Sequence, residues 1–235
     1  KLATHLVDNG IACFTYDKRV LRMNELKLTE SDLRFQDYVT DLTSVVKHFK
    51  ASDNYEDFVL IGHSQGSLVS LIAAQEVGDA VISIAGASES IDHILYSQLK
   101  EQMPNSKEAI RRSLDSLKLN GEVKDYPSPL SSLFRSQVQP FMHSWMQHNP
   151  QELIAKLDQP ILIINGDQDL QVDASQAKKL KKAQPDAKLA IIKNMNHILK
   201  ESKAKDLANQ QTYQQPELPI VDECKKAILG FIQQL

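Results

Sequence analysis

The chain has 235 residues, 42% of them hydrophobic and 24% charged, with a net charge of −3. This supports one globular domain with a full core, or one domain plus a small insertion. It argues against a nucleic-acid partner, because no basic arm interleaved with aromatics occurs. It also argues against a transmembrane segment, because no apolar run reaches bilayer length.

Residues 1–10 read as the second half of a helix closed by Gly10, and resemble no signal peptide. Residues 11–16 (Ile-Ala-Cys-Phe-Thr-Tyr) read as a buried strand, with Cys13 acting as a small hydrophobe. With Cys224 as the only other cysteine, no disulfide framework is expected. A polar loop to about Leu33 precedes a helix over 35–49, where Phe35, Tyr38, Val39, Leu42, Val45, Val46 and Phe49 fall at helical spacing. A strand over 57–61 leads into Gly62-His63-Ser64-Gln65-Gly66, and an apolar helix over 67–77 follows. Residues 80–85 form the next buried strand.

From 88 to 150 no buried strand occurs, and the segment is helical and polar, broken at Pro104, Pro127, Pro129 and Pro140. Strand character returns at 160–165, followed by a helix over 174–183 with Asp173 and Gln176 at capping-box spacing. Lys178, Lys179, Lys181 and Lys182 make the solvated face of that helix. A last strand spans 187–193, a polar loop 200–218, and a C-terminal helix begins near Val221. The fold class expected is α/β: a mostly parallel sheet with helices on both faces. The core is expected over 1–87 and 151–235. A helical cap insertion over 88–150 is expected above the C-terminal edge of the strands, where ligands of such sheets bind.

The elbow holds the chemistry. A strand-turn-helix with serine at its apex strains that residue and projects its hydroxyl clear of the sheet. Side chains at Gly62 or Gly66 are expected to collide with neighbouring backbone. The Gln65 N–H then opens a helix, where it can stabilise an oxyanion. A serine nucleophile needs a base, and the base needs an acid. His197, directly after the last strand, is the candidate base; His5 and His48 lie on distant helices, and His93, His143 and His148 lie in the insertion. His63 is expected to form a wall of the substrate pocket. Of the carboxylates after strand 160–165, Asp169 is the first choice as acid and Asp167 the second, with Asp173 a helix cap. In the insertion, Phe134, Phe141, Met142, Trp145 and Met146 cluster, and Phe141 and Trp145 are the candidate substrate contacts. His143 and His148 are five apart rather than four, so no metal site is expected, and no cofactor.

The order Ser64, Asp169, His197 resembles that of the α/β-hydrolase superfamily. Gly62-His63-Ser64-Gln65-Gly66, Gly166-Asp167-Gln168-Asp169 and Asn196-His197 resemble its elbow, acid loop and histidine loop, and Tyr16-Asp17-Lys18-Arg19 the segment after its fourth strand. Gln137-Val138-Gln139-Pro140-Phe141, Asp169-Leu170-Gln171-Val172 and Tyr213-Gln214-Gln215-Pro216-Glu217-Leu218-Pro219 resemble bacterial serine esterases related to the serine aminopeptidase-like branch. The resemblance covers nearly the whole chain and implies cleavage of small acyl esters through an acyl-enzyme. An amidase or peptidase with the same triad, an acyltransferase and a non-catalytic binding protein are the alternatives. A dehalogenase is disfavoured, since it needs a carboxylate where Ser64 stands. Relatives usually continue the aspartate-arginine segment with glycine and a small residue, where this chain has Val20-Leu21-Arg22-Met23. The resemblance also implies strands and a second oxyanion donor before Lys1, so an N-terminal extension of several tens of residues is expected.

Overall fold

The computed structural model describes residues 1–235. In chain order the elements are α1 (Leu2–Asp8), α2 (Met23–Leu26), α3 (Phe35–Lys50), β1 (Val59–His63), α4 (Gln65–Ala73), β2 (Ala80–Ile84), α5 (Ile91–Gln102) and α6 (Lys107–Asn120). They continue with α7 (Ser131–Phe134), α8 (Gln139–Met146), α9 (Pro150–Ile154), β3 (Ile161–Gly166), α10 (Ala174–Ala183), β4 (Lys188–Ile192), α11 (Leu207–Gln211) and α12 (Asp222–Ile232). The chain divides into two compact units, the first comprising residues 1–16, 42–88 and 151–235, the second residues 17–41 and 89–150. No helix is long and apolar enough to cross a membrane.

In the first unit four parallel strands lie in the order β1-β2-β3-β4. β2 and β3 are buried along their whole length, as their near-continuous Val and Ile runs require of strands covered on both faces. One face turns Ile82, Ile84, Leu162 and Ile164 toward Leu6 of α1 and Cys224, Ile228 and Phe231 of α12. The alternate residues face the other way, and there the Ser83 hydroxyl meets that of Ser67 on α4 at 2.6 Å. α10 packs against β3 and β4. All strand C-terminal ends therefore lie on one edge of the sheet.

α1 closes as its sequence implies: Gly10 takes φ +80° and donates to the Val7 carbonyl. Segment 11–16 does not form the expected strand: it pairs with no strand of the sheet, and β1 pairs only with β2. Phe14 and Tyr16 are exposed, and Phe14 meets the Phe49 ring edge-on. Cys13 is also exposed rather than buried, while Cys224 is buried and its thiol is pushed up to about 11 by desolvation. The loop expected over 200–218 instead contains α11 and a 3-10 turn over Thr212–Gln214.

The second unit is helical. Ile110, Leu114 and Leu117 of α6 pack with Phe134 of α7 and Met142 and Met146 of α8. Phe35 at the start of α3 stacks on Trp145 at 5.6 Å between ring centres, with Phe141 tilted against it at 6.2 Å. Phe35 N–H donates to the Ser144 hydroxyl. Residues 17–41, read in sequence as a polar loop and the opening of a helix, belong to this unit: Glu30 pairs with Arg135 at 2.6 Å, and within the segment Arg19 pairs with Asp41 at 2.6 Å and Asp37 at 3.2 Å.

Candidate active site

The elbow forms where β1 runs out. His63 pairs with Ile84, and the Ser64 N–H extends the ladder by donating to the Ile84 carbonyl at 2.8 Å. Ser64 itself sits at φ +54°, ψ −120°, a region that costs a non-glycine residue roughly 1–3 kcal/mol. α4 starts immediately at Gln65, so the chain reverses within one residue. The two elbow glycines differ. A Cβ on Gly62 would collide with the Gly66 carbonyl and the Ser70 hydroxyl, whereas one on Gly66 would meet nothing within 4 Å. The expectation of a clash at Gly66 is thus overturned: it has already entered α4 and faces open space.

Two further loops leave the same sheet edge, after β3 and after β4. They meet backbone to backbone. Gln168 N–H donates to the Met195 carbonyl at 3.0 Å, and Asp167 N–H to that of Ile192 at 3.1 Å. Any side chain at Gly166 would collide with the Met195 carbonyl, so glycine here permits the approach. Asp167 accepts from the Asn194 N–H at 2.7 Å and so fastens one loop to the other rather than reaching the histidine. Asn194 and Leu199 take positive φ, bending the β4 loop back on itself. His197 is only 3% exposed and Asp169 1%.

These loops bring Ser64, His197 and Asp169 together. His197 Nδ1 lies 2.8 Å from Asp169 Oδ2, and its Nε2 lies 3.1 Å from Ser64 Oγ. A carboxylate can only accept, so Nδ1 carries the proton and Nε2 is left to accept from the hydroxyl. The other Asp169 oxygen accepts from the N–H groups of Gln171 and Val172, both at 2.8 Å, which fixes the carboxylate plane. A hydroxyl held on an imidazole, itself held on a buried carboxylate, has a proton acceptor placed for nucleophilic attack.

His63 does not turn toward the Ser64 hydroxyl. Its Nε2–H donates to the His197 backbone carbonyl at 2.7 Å, and the two rings lie 5.0 Å apart. Gln65 is the first residue of α4, so its backbone N–H lies at the N-terminal end of that helix. Phe141 and Trp145 lie in the second unit, packed on Phe35. His143 donates from Nδ1 to the Leu117 carbonyl and His148 packs against Phe35, so the two rings are separately engaged.

Asp173 accepts from the Ser175 N–H and caps α10, but the expected capping box is incomplete. Gln176 instead accepts from the N–H and hydroxyl of Ser88. A hydrogen bond from Lys205, then the Ser175 N–H, holds the Asp173 carboxyl down at about 2. A depressed carboxyl stabilises the fold above its ordinary range near pH 4, and the contribution is lost as pH falls through about 2. The side chain is 61% exposed, so the ion pair adds little and the cap dominates. Asp173→Ala is expected to cost about 1 kcal/mol in urea unfolding at pH 7, with a smaller difference from wild type near pH 2. An equal cost at both pH values would rule out this linkage.

Sequence reasoning quoted Asn196 only beside His197 and gave no role to it, Asn209 or Thr212, all three of which are buried. The available signal was Asp206, three residues before Asn209, whose carboxylate caps α11 by accepting the Asn209 N–H.

A family model for serine aminopeptidase, S33 (Hydrolase_4), matches residues 1–203. No curated protein matches the sequence. Among solved structures, Rv0554 of Mycobacterium tuberculosis superposes with a TM-score of 0.57 at 13% identity, covering 99% of this chain and 83% of its own. Est1E of Butyrivibrio proteoclasticus gives 0.53 at 18% identity over 86% of this chain and 71% of that one. A structure from work on carboxylesterases of the thaumarchaeon Nitrososphaera gargenis gives 0.50 at 19% identity, over 86% and 73%. At these identities the superpositions speak for the fold, and the family match covers most of the chain. The chain belongs to the serine aminopeptidase S33 family and is a serine hydrolase of the α/β-hydrolase fold.

Proposed function

We propose that the protein hydrolyses small carboxylic esters, with Ser64 as nucleophile, His197 as base and Asp169 as the acid that orients it. The observation that carries this reading is the relay from Ser64 Oγ through His197 to Asp169, with separations of 3.1 and 2.8 Å. Ser64 Oγ attacks the acyl carbonyl while His197 Nε2 takes its proton. The Gln65 N–H stabilises the oxyanion at the start of α4. His197 protonates the departing alcohol, and water, deprotonated by the same imidazole, releases the acid from the acyl-enzyme. Asp169 keeps the imidazole in the tautomer that can accept.

The family description names an aminopeptidase, which favours amide cleavage as a second reading. Est1E and the Nitrososphaera proteins are esterases by name, which favours esters. A panel of p-nitrophenyl esters of rising acyl length, set against aminoacyl p-nitroanilides, separates the two. Esters are expected to give the higher kcat/KM, and a fluorophosphonate is expected to label Ser64. Faster anilide cleavage would favour the peptidase, and a protein that neither turns over nor labels would favour a non-catalytic fold.

A further inference from the structure

We infer that Asn209 is a positioning residue that sets the spacing between Asp169 and His197. The inference rests on the reading of Ser64, His197 and Asp169 given above. Asn209 is fully buried, and its side chain touches both loops one residue before each of the two groups. Its Nδ2 donates to the Gln168 carbonyl at 2.8 Å, next to Asp169, and to the Ala204 carbonyl at 3.1 Å. Its Oδ1 accepts from Asn196 Nδ2 at 3.2 Å, next to His197. Two carbonyl partners leave only one orientation for the amide, so donor and acceptor ends cannot exchange.

Asn196 is held just as fully. Its Nδ2 also donates to the Thr212 hydroxyl at 2.7 Å, and its Oδ1 accepts from the Lys200 N–H at 2.9 Å, closing the turn that carries His197. The Thr212 hydroxyl donates in turn to the Asn209 carbonyl at 2.6 Å. The amide N–H and carbonyl groups of both asparagine side chains thus have partners inside the network. Buried polar groups of this kind are costly when unpaired, so the network favours a single arrangement. A shift of Asn209 moves Gln168 and Asn196 together, and the Asp169–His197 hydrogen bond with them.

The test compares wild type with Asn209→Ala and Thr212→Val. Turnover is normalised to sites titrated by a fluorophosphonate, and the His197 ring Nδ1 proton is followed by NMR. For Asn209→Ala, kcat per titrated site is expected to fall about a hundredfold, the scale of a small misplacement of reacting groups. KM should stay within about twofold of wild type, and the ring proton should move or broaden. Thr212→Val should show a smaller change in the same sense, and decides alone where Asn209→Ala does not fold. Wild-type turnover per titrated site with an unmoved ring proton would overturn the inference, whatever the change in melting temperature. Absence of Ser64 labelling in the wild type would overturn the parent reading instead, while the ring-proton comparison would still decide Asn209's role.

Discussion

Ser64→Ala is expected to lower ester turnover by about five to six orders of magnitude, the scale on which losing a triad serine acts elsewhere. The size follows from geometry. Ser64 Oγ is the atom that His197 Nε2 contacts, and it stands at the apex of the turn. Alanine meets the same left-handed strain at φ +54°, so the fold should melt within a few degrees of wild type. The residual rate would be that of water attacking with help from His197. Active-site titration and steady-state kinetics on the best ester of the panel measure the loss. A variant with near-normal turnover would remove Ser64 from the mechanism.

Asp169→Asn carries the second largest effect, a fall in kcat of about ten-thousandfold. Both carboxylate oxygens of Asp169 accept: one from His197, the other from two backbone N–H groups. An amide must turn its NH2 toward one of those donors. Facing the ring, it forces the proton from Nδ1 to Nε2 and removes the acceptor that Ser64 needs. Facing the turn, it breaks two hydrogen bonds that fix the loop. Asp167→Asn is the control, because Asp167 accepts one backbone N–H and an amide oxygen can still do so. It should stay within a few-fold of wild type. The reverse ranking, with Asp167 the more damaging, would move the acid to Asp167.

The sheet was legible because β2 and β3 are continuous apolar runs and each turn out of them is marked by a glycine or polar cluster. β1 runs two residues beyond its sequence reading, to His63, because Gly62 and His63 stay in register with Ser83 and Ile84. The histidine and the aspartate could be named because each follows a strand at the edge where the serine stands. Segment 11–16 shows the limit of apolar patterning: an apolar run states a preference, but a strand exists only where its backbone pairs, and this segment pairs with none while Phe14 packs on Phe49. α11 has five residues, too few for helical spacing to register, and only the Asp206 cap announces it. Asn196, quoted only as the neighbour of His197, and Asn209 were given no role because an amide carries no chemical signature. Their burial and their hydrogen bonds to Gln168 and Lys200 are supplied only by the fold.

The relay joins partners that lie at very different distances along the chain. His197 and Asp169 are 28 residues apart, but His197 and Ser64 are 133 apart. Closing the longer loop costs about 1.4 kcal/mol more chain entropy by the logarithmic law. The histidine–aspartate half belongs to one stretch of chain from β3 to α11 and can assemble early. The serine joins only when β1 and β2 have docked beside β3. Reactivity at Ser64 would then report completion of the whole sheet, and a chain arrested on the way would hold a formed base with nothing to deprotonate.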